Sequence, residues 1–458
     1  MRIDKHSDFD RDRLTFDEMD EGFTVREAIN EAKRCLNCAK PQCRAGCPIE
    51  NEIPAFIQAL ARGNIGEASE IIARNSNLPA VCGRVCPHEK QCEGACVLNK
   101  RNCGIQIGKL ERFIADFDAE MEIYRTPHAR EKKGEVAVIG AGPAGLTVAG
   151  DLAKQGFAVT VFEAQSEPGG VLMYGIPEFR LSKEIIRRET RRIEQLGVTF
   201  RTNVLVGPDL TIDDLFTQGF DAVFIGTGTA LPKTLGLPGE GLPGVVQAIY
   251  FLSIVSLARA GKVSHHEIPI HPGDRVAVIG AGNVAMDAAR TALRLGAARV
   301  TVLYRRTADE MTALQSEYQE AQAEGVNFLW LASPTRFLEK RQKLSGLEYE
   351  QQLIDAAGKP SGSGEKRELP VDKALLAIGQ RPAARIISTT EGIEVNPRGY
   401  VITREKPYGM TTRRGVFAGG DVVHEPATVV LAMKEAKKVA AGIALYVEAK
   451  KLLEACEK

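Results

Sequence analysis

The sequence lacks the features that would mark a membrane, secreted or nucleic-acid-binding protein. Its 458 residues include no apolar run of about 18 or more, so no transmembrane helix is predicted. Lys plus Arg and Asp plus Glu each number 59, whereas a dedicated nucleic-acid binder needs a basic surplus. Residues 1–25 are strongly charged and have no apolar signal core, so a cytoplasmic protein is expected.

Cysteine, by contrast, is abundant in one part of the chain. Nine of the ten cysteines lie between residues 35 and 103, and in a reducing compartment such a group favours metal binding over disulfides. Only one short C-x2-C pair is present, whereas a structural zinc site usually has two. A proline follows Cys47 and Cys86, as in bacterial ferredoxin runs. Two [4Fe–4S] clusters are therefore predicted, with zinc or inert thiols as the alternatives.

The part that carries these cysteines is predicted to be a helical domain over residues 1–125. Apolar residues recur at helical spacing over residues 25–38, 53–72 and 107–124, and no alternating strand pattern is present. A charged linker with Pro127 follows. Nine cysteines suffice for two clusters only if the two cysteine runs share ligands.

The rest of the chain contains one βαβ unit twice. The segment VAVIGAGPAGLTVAGDLAKQG begins at Val136, and VAVIGAGNVAMDAARTALRLG begins at Val276. Each is a buried strand, a glycine-rich turn and a helix, which is the dinucleotide-binding pattern. An α + α/β protein is predicted, with a discontinuous first dinucleotide domain (134–255 and 385–458) and a second one (256–384). Residues 361–364 are expected at a hairpin tip, and residues 259–274 at the crossing between domains.

The first glycine-rich turn has the pattern of an FAD site. The glycines allow a tight turn and close approach of a pyrophosphate, which then lies at a helix N-terminus. Glu163 ends the next strand, where a carboxylate accepts hydrogen bonds from an adenosine ribose. The alternative is a purely structural glycine turn. The predicted FAD residues are Gly140, Gly142, Pro143, Ala144, Gly145, Glu163 and Gly170.

The second turn has the pattern of an NADPH site. Its acidic position is occupied by Tyr304, and two arginines follow. Guanidinium groups pair with a 2′-phosphate that a carboxylate would repel, so NADP is preferred over NAD. The alternative is a solvated arginine pair at a strand end. The predicted NADPH residues are Gly280, Gly282, Asn283, Val284, Ala285, Arg305, Arg306 and Gly379.

A third segment near the C-terminus fits the flavin. A strand ends at Gly420 and Asp421, and a helix is expected to begin near Thr428 and Val429. Asp421 is predicted to bond the ribityl chain, and the helix start to present N–H groups to the flavin N1–C2=O edge. An ordinary strand–turn–helix is the alternative.

In these motifs the chain resembles the small (β) subunits of NADPH-dependent glutamate synthase. It is similar as well to the large subunit of NADH-dependent ferredoxin:NADP oxidoreductase, to sulfide dehydrogenase and to the N-terminal part of dihydropyrimidine dehydrogenase. Besides both glycine-rich turns, the resemblance rests on RCLNC (34–38), VCGRVCP (81–87), IGKLERF (107–113), GIPEFR (175–180), YRR (304–306) and AGGD (418–421). It departs from the family at Met311-Thr312, where Met-Pro is common.

The resemblance implies a division of the cluster ligands. One cluster is held by Cys35, Cys38, Cys43 and Cys96, and the other by Cys47, Cys86, Cys92 and a non-cysteine ligand at the position of Glu111. Cys82 and Cys103 would be spare. A plain surface carboxylate is the alternative for Glu111, and Cys103 is the alternative fourth ligand.

The resemblance further implies an electron-input subunit that oxidises NADPH through FAD and two [4Fe–4S] clusters. Its partner would be a larger FMN/iron–sulfur glutamate synthase subunit, since this chain has no amidotransferase or FMN barrel, and no nucleic acid or membrane is involved. The alternative is an NAD(P)H:ferredoxin or sulfide-type oxidoreductase subunit with a ferredoxin-type or other partner. No Cys-x4-Cys follows the FAD turn, which excludes a disulfide-reductase route. No catalytic acid or base is predicted, because the chemistry belongs to the cofactors.

Overall fold

The computed structural model describes residues 14–123, 132–207, 210–355, 360–383, 386 and 389–456. They form two compact units. The larger unit comprises the described parts of residues 18–173, 180–231 and 380–458, and the smaller unit those of 1–17, 174–179 and 232–379. None of the described helices is long and apolar enough to cross a membrane.

The N-terminal part of the larger unit is helical, and the structure places no strand among its described residues up to 123. Its first helix begins after Thr24, whose hydroxyl and the Glu27 carboxylate form a capping box. The predicted helical run 53–72 is two helices, because Asn64 caps a new one. The helices span Val25–Lys33, Gln42–Gly46, Ile53–Ala61, Ile65–Asn75, Pro79–Val85 and Ile107–Met121. Short 3₁₀ turns span His88–Lys90 and Val97–Arg101.

A seven-stranded sheet forms the remainder of the larger unit. Five adjacent strands, which include one edge of the sheet, are parallel to one another. The two strands at the opposite edge pair in the antiparallel sense. In sheet order the strands are Thr403–Glu405, Tyr408–Thr411, Val416–Ala418, Ala222–Ile225, Glu135–Ile139, Ala158–Phe162 and Thr199–Arg201. The helices are Pro143–Lys154, Val171–Tyr174, Lys183–Glu194, Ile212–Thr217 and Val429–Cys456, with a 3₁₀ turn at Gly420–Val422. Buried Val138, Val161 and Phe224 lie in register across the sheet centre.

The smaller unit contains a parallel five-stranded sheet and an antiparallel three-stranded one. The first has the order Val245–Gln247, Lys373–Leu376, Arg275–Ile279, Arg299–Tyr304 and Asn327–Trp330. The second consists of Ala332–Lys340, Lys343–Ile354 and Pro360–Pro370. The helices are Ala248–Arg259, Asn283–Arg294 and Gln315–Ala323, with 3₁₀ turns at His265–Glu267 and Ala308–Glu310. Two-residue strands, Leu231–Pro232 and Gln380–Arg381, lie where the chain passes from one unit to the other.

The predicted fold class is confirmed, but the two units do not follow the predicted domain bounds. Residues 174–179 and 232–255, expected in the first dinucleotide domain, and residues 14–17, expected in the helical domain, lie in the smaller unit, whereas residues 380–383, expected in the second dinucleotide domain, lie in the larger one. For residues 232–255 the reason is packing: strand Val245–Gln247 pairs with Lys373–Leu376, and helix Ala248–Arg259 buries Phe251 and Leu252 in the smaller unit's core. The segment 259–274 accordingly lies within this unit and is not a crossing.

Candidate functional site

One set of thiols lines an apolar pocket in the helical part. Cys35, Cys38 and Cys43 come from the first cysteine run, and Cys96 comes from the second. Burial raises the pKa of Cys43 to about 11, and the neighbouring Cys35 and Cys96 contribute to the rise. Four sulfurs that face one pocket form a preorganised set of soft ligands.

A second set of thiols surrounds a buried carboxylate. Burial raises the pKa of Cys47 to about 11, and it raises the pKa of Cys92 further; Glu111 adds to both rises. The pKa of Cys86 is also raised, by a hydrogen bond with Cys82, by burial and by the nearby Glu111. The structure therefore brings Cys47, Cys86, Cys92 and Glu111 together, in the division that the resemblance implies.

Glu111 is an internal acid and not a plain surface carboxylate. It is 8% exposed, and its Oε1 accepts a hydrogen bond from Asn51 Nδ2 at 3.4 Å. Burial raises its pKa to about 8, and the buried Glu189 contributes. Sequence reasoning missed Asn51, because an asparagine outside a motif carries no signal for an oxygen 60 residues away.

The two remaining thiols of this region have different surroundings. Cys103 is exposed, and its thiol donates to the Leu98 carbonyl at 3.4 Å, so it does not face the second set. Cys82 is 2% exposed and lies beside that set, with its sulfur 3.6 Å from Met433 Sδ. Of the two candidates for the fourth member of the second set, the structure thus favours Glu111 over Cys103. Cys82, expected to be a spare thiol, lies next to this set.

Both sets offer the ligand chemistry of an iron–sulfur cluster. Cysteine thiolates bind [4Fe–4S] clusters as well as zinc, so ligand type alone does not separate the two. Within the residues that the structure describes, no three His, Cys, Asp or Glu side chains form a set for a single metal ion.

The first glycine-rich turn joins strand Glu135–Ile139 to helix Pro143–Lys154. A Cβ on Gly145 would lie 1.9 Å from the Gly140 carbonyl oxygen, so helix and strand can approach only at glycine. Gly140 has φ +96°, and a Cβ there would meet Gly226. Around Gly142 nothing lies within 4 Å of a Cβ position, which leaves open space at the helix N-terminus. A diphosphate can therefore approach the backbone there.

Glu163 lies directly beneath this turn. Its side chain is buried; Oε2 accepts from the Ala141 N–H and Oε1 from the Gln165 N–H, both at 2.8 Å. The carboxylate is fixed in position by these two bonds, and each oxygen keeps a lone pair for a ribose hydroxyl.

The C-terminal segment reaches the same turn. A Cβ on Gly420 would lie 2.9 Å from Ala144 Cβ, and a Cβ on Gly170 would lie 2.9 Å from Gly142 Cα. Burial raises the pKa of Asp421, beside Gly420, to about 6. The Thr428 hydroxyl accepts from the Leu431 N–H at 3.4 Å, and the helix begins at Val429 as predicted.

The second turn, in the smaller unit, repeats the backbone arrangement. Gly280 has φ +123°, and a Cβ there would lie 2.4 Å from the Ala377 carbonyl oxygen. Asn283 Oδ1 accepts from the Leu314 N–H at 2.9 Å, which ties the helix start to the following loop. Ala285 is fully buried at the third glycine position, while Val284 is 40% exposed. A hypothetical Cβ on Gly282 meets only the Thr312 hydroxyl, at 3.3 Å.

The strand end beside this turn is basic and open. Arg305 and Arg306 are both exposed, and Arg306 Nε lies 3.9 Å from Glu310 Oε1. The Tyr304 hydroxyl donates to the Glu310 carbonyl at 3.0 Å, so the strand end is held in place. Near Gly379 sequence reasoning missed Lys233, whose Nζ would be 3.7 Å from a Cβ on that glycine.

Two protein families match the chain. Residues 12–123 match the family described as dihydropyrimidine dehydrogenase domain II, 4Fe-4S cluster. Residues 134–436 match the pyridine nucleotide-disulphide oxidoreductase family.

Relatives match over nearly the full length. The chain is 37% identical to the glutamate synthase [NADPH] small chain of Halomonas elongata, over 94% of this chain and 93% of that protein. It is 35% identical to the Escherichia coli glutamate synthase [NADPH] small chain, over 95% of both. It is equally 35% identical to the Escherichia coli NAD-dependent dihydropyrimidine dehydrogenase subunit PreT, over 94% of this chain and 97% of that protein.

Solved structures share the fold of the two dinucleotide-binding parts. Mycobacterium tuberculosis FprA in complex with NADPH aligns with TM-score 0.59 at 20% identity, over 69% of this chain and 85% of that chain. Lactococcus lactis thioredoxin reductase aligns with TM-score 0.52 at 24% identity, over 69% of this chain and 99% of that chain.

Proposed function

The chain belongs to the pyridine nucleotide-disulphide oxidoreductase family, in the group that contains the glutamate synthase small chains, and we propose that it is the electron-input subunit of an NADPH-dependent glutamate synthase. The observation that carries the proposal is the combination, in one chain, of two thiol sets with two dinucleotide turns of different polarity. Its partner is the larger FMN/iron–sulfur subunit, where 2-oxoglutarate and glutamine yield glutamate.

Three cofactors divide the chemistry. When bound, NADPH supplies a hydride, FAD accepts it and releases electrons singly, and two [4Fe–4S] clusters carry single electrons to the partner. The chain's own contribution is to hold these groups, exclude water and tune their potentials. We name no catalytic side chain, because none is needed as an acid or base.

FAD is held by the first turn and the C-terminal segment. The N-terminus of helix Pro143–Lys154 presents free N–H groups to the pyrophosphate, and Glu163 accepts from the adenosine ribose. Asp421 would hydrogen-bond the ribityl chain, and the helix start at Thr428 and Val429 would supply N–H groups that stabilise negative charge on the reduced flavin. The proposed FAD residues are Gly140, Gly142, Pro143, Ala144, Gly145, Glu163, Gly170, Gly420, Asp421, Thr428 and Val429.

NADPH is held by the second turn. The N-terminus of helix Asn283–Arg294 binds the pyrophosphate, and the exposed Arg305 and Arg306 pair with the 2′-phosphate. The other proposed NADPH residues are Gly280, Gly282, Asn283, Val284, Ala285 and Gly379.

The clusters are held by the two thiol sets of the helical part. Cys35, Cys38, Cys43 and Cys96 hold one, and Cys47, Cys86, Cys92 and Glu111 hold the other. Functionally, residues 1–125 bind the clusters, and the FAD and NADPH domains follow the predicted division with residues 232–255 moved to the NADPH part.

Reconstitution with the large chain tests this function. The anaerobically reconstituted chain, mixed with the glutamate synthase large chain from the same source, should form glutamate from 2-oxoglutarate and glutamine at the expense of NADPH. Each chain alone should form none with NADPH. NADPH oxidation without glutamate in the mixture would contradict the proposal.

A second candidate is the same electron-input role with a different partner. It is favoured by the full-length match to a dihydropyrimidine dehydrogenase subunit whose name specifies NAD. Coenzyme preference separates the two, because the exposed Arg305 and Arg306 favour NADPH. A preference for NADH, with electron delivery to a dihydropyrimidine dehydrogenase partner, would support the second candidate.

A further inference from the structure

Cations are frequent in the two chain segments that line the pocket of the first thiol set. Residues 33–46 contain four Lys or Arg and residues 94–104 contain two, and neither segment has an Asp or Glu, although the whole chain has a net charge of zero. Both segments line the same pocket, the first through Leu36 and the second through Leu98. Positive charge is therefore concentrated at this place and balanced elsewhere.

One of the six cations holds the surface together. Arg34 Nη1 bonds Glu31 Oε2 at 2.6 Å, and its Nη2 donates to the Cys103 carbonyl at 2.6 Å. Its charge is thus compensated, and its side chain ties the two segments to each other.

The other five cations are exposed. Among the residues that the structure describes, none of the five lies within 4.0 Å of a carboxylate. We call these five the basic rim: Lys33, Lys40, Arg44, Lys100 and Arg101. Arg84 of the same helical part, by contrast, is ion-paired with both Glu18 and Asp116.

An exposed leucine accompanies these cations. Leu36 lies between Lys33 and Lys40 in the sequence, lines the thiol pocket and is 62% exposed. An exposed apolar side chain with charged neighbours is typical of an interface centre with a polar edge.

The two thiol sets differ in their distance from this surface. The second set lies inward: Cys92 is 7% exposed, and Cys82 beside it contacts Met433 of the helix Val429–Cys456. The first set faces the pocket that Leu36 lines. A protein docked on the rim is therefore closest to the outer set.

We propose that the basic rim and Leu36 form the docking surface for an acidic face of the glutamate synthase large chain. This rests on the proposed function, which supplies the partner. Complementary charge steers the encounter and fixes orientation, and the apolar centre excludes water. A nucleic acid fits this surface less well than a protein does. Its centre, Leu36 and the thiol pocket, is apolar and has neither a charge for a phosphate nor a polar group for a base edge.

Charge reversal on the rim tests the proposal. The triple variant Lys40→Glu, Arg44→Glu, Lys100→Glu is compared with Lys340→Glu, Lys343→Glu, which changes two exposed cations on a hairpin of the smaller unit. The affinity for the large chain is measured by titration at two salt concentrations, and reduction of menadione, a neutral acceptor, by NADPH reports the cofactors. Iron and sulfide are measured in each variant to verify that the clusters are intact.

The rim variant should bind the large chain at least tenfold more weakly and lose the wild type's salt dependence, with menadione reduction and iron content unchanged. Leu36→Ala should weaken binding severalfold without altering the salt dependence. Equal binding by the rim variant, the control and the wild type would overturn the docking surface while leaving the proposed function intact. A wild type that does not bind the large chain would overturn both. Binding of a polyuridine oligomer that is lost in the rim variant, with large-chain binding kept, would assign the rim to nucleic acid.

Discussion

The two glycine-rich turns have nearly the same sequence and backbone but opposite surroundings. Beneath the first, Glu163 is buried and both its oxygens bond backbone N–H groups. Beside the second, Arg305 and Arg306 are exposed and carry at most one long ion pair. The buried acid is part of the turn's own structure, whereas the arginines are free to meet a ligand. In our proposal the residues at the end of the second strand therefore select the coenzyme, while the turn itself binds only a diphosphate.

Of the changes considered, Gly145→Ala should have the largest effect, and it should weaken cofactor binding at the first turn only. The new Cβ would lie 1.9 Å from the Gly140 oxygen, so the turn must open. We expect FAD affinity to fall about 100-fold, since overpacking of this kind costs about 3 kcal/mol. Flavin absorbance after gel filtration measures it. The matched change Ala285→Gly should leave NADPH binding within a few-fold, and a loss equal to that of Gly145→Ala would show that the turns are not distinguished by their third position.

Neutralising the arginine pair should alter coenzyme choice. In Arg305→Ala, Arg306→Ala the KM for NADPH should rise about tenfold or more, because each lost charge-assisted hydrogen bond is worth about 1.5–3 kcal/mol and exposure reduces this. The KM for NADH should change little. Arg299→Ala, an exposed arginine at the other end of the same strand, is the control. Equal increases for both coenzymes would place the 2′-phosphate elsewhere.

Glu163→Gln should act on the first turn alone. One of the two 2.8 Å bonds loses its acceptor, which costs about 1–2 kcal/mol of unfolding free energy. FAD should bind about tenfold more weakly, as measured by equilibrium titration of the apoprotein. Gln165→Ala keeps the backbone donor and should behave as the wild type. A Glu163→Gln protein with unchanged FAD affinity would remove the ribose assignment.

In the flavin-free protein Asp421→Asn should have the smallest effect, visible as a pH dependence of stability. Burial raises the pKa of Asp421 in the folded chain to about 6, well above the usual value for an aspartate. A raised carboxyl pKa favours the folded state below pH 4 and costs stability as the pH rises through 6. Urea unfolding of the flavin-free protein should therefore show a variant more stable than wild type by about 1 kcal/mol at pH 7.5, and equal to it at pH 4. A difference independent of pH would contradict this.

Local sequence patterns predicted the helices and strands better than they predicted the domain boundaries. Both strand–turn–helix units occur where the repeated segments indicated. The boundary at 232 was missed, because strand Val245–Gln247 is only three residues long and its partner lies about 130 residues away. Residues 361–364, expected at a hairpin tip, lie within strand Pro360–Pro370. Ser361 and Gly362 pair there with Leu353 and Gln352, although serine and glycine are residue types typical of turns.

The assignment of the cysteines to two sets could be predicted only from the resemblance to the family. Spacing alone could not join Cys96 to Cys35, Cys38 and Cys43, which lie more than 50 positions earlier in the chain, yet all four line one pocket. Likewise, the environment of Glu111 depends on Asn51, which precedes helix Ile53–Ala61, and on Glu189 of helix Lys183–Glu194, and both lie far from Glu111 in the sequence.

The most direct test of the electron-input account is an anaerobic NADPH titration of the iron-reconstituted chain, followed by visible absorption. The account predicts that the flavin absorption and the broad iron–sulfur absorption both decrease as NADPH is added, in a protein that holds about eight irons. A chain whose flavin absorption is unchanged by NADPH, or whose iron–sulfur absorption is absent after reconstitution, would contradict it.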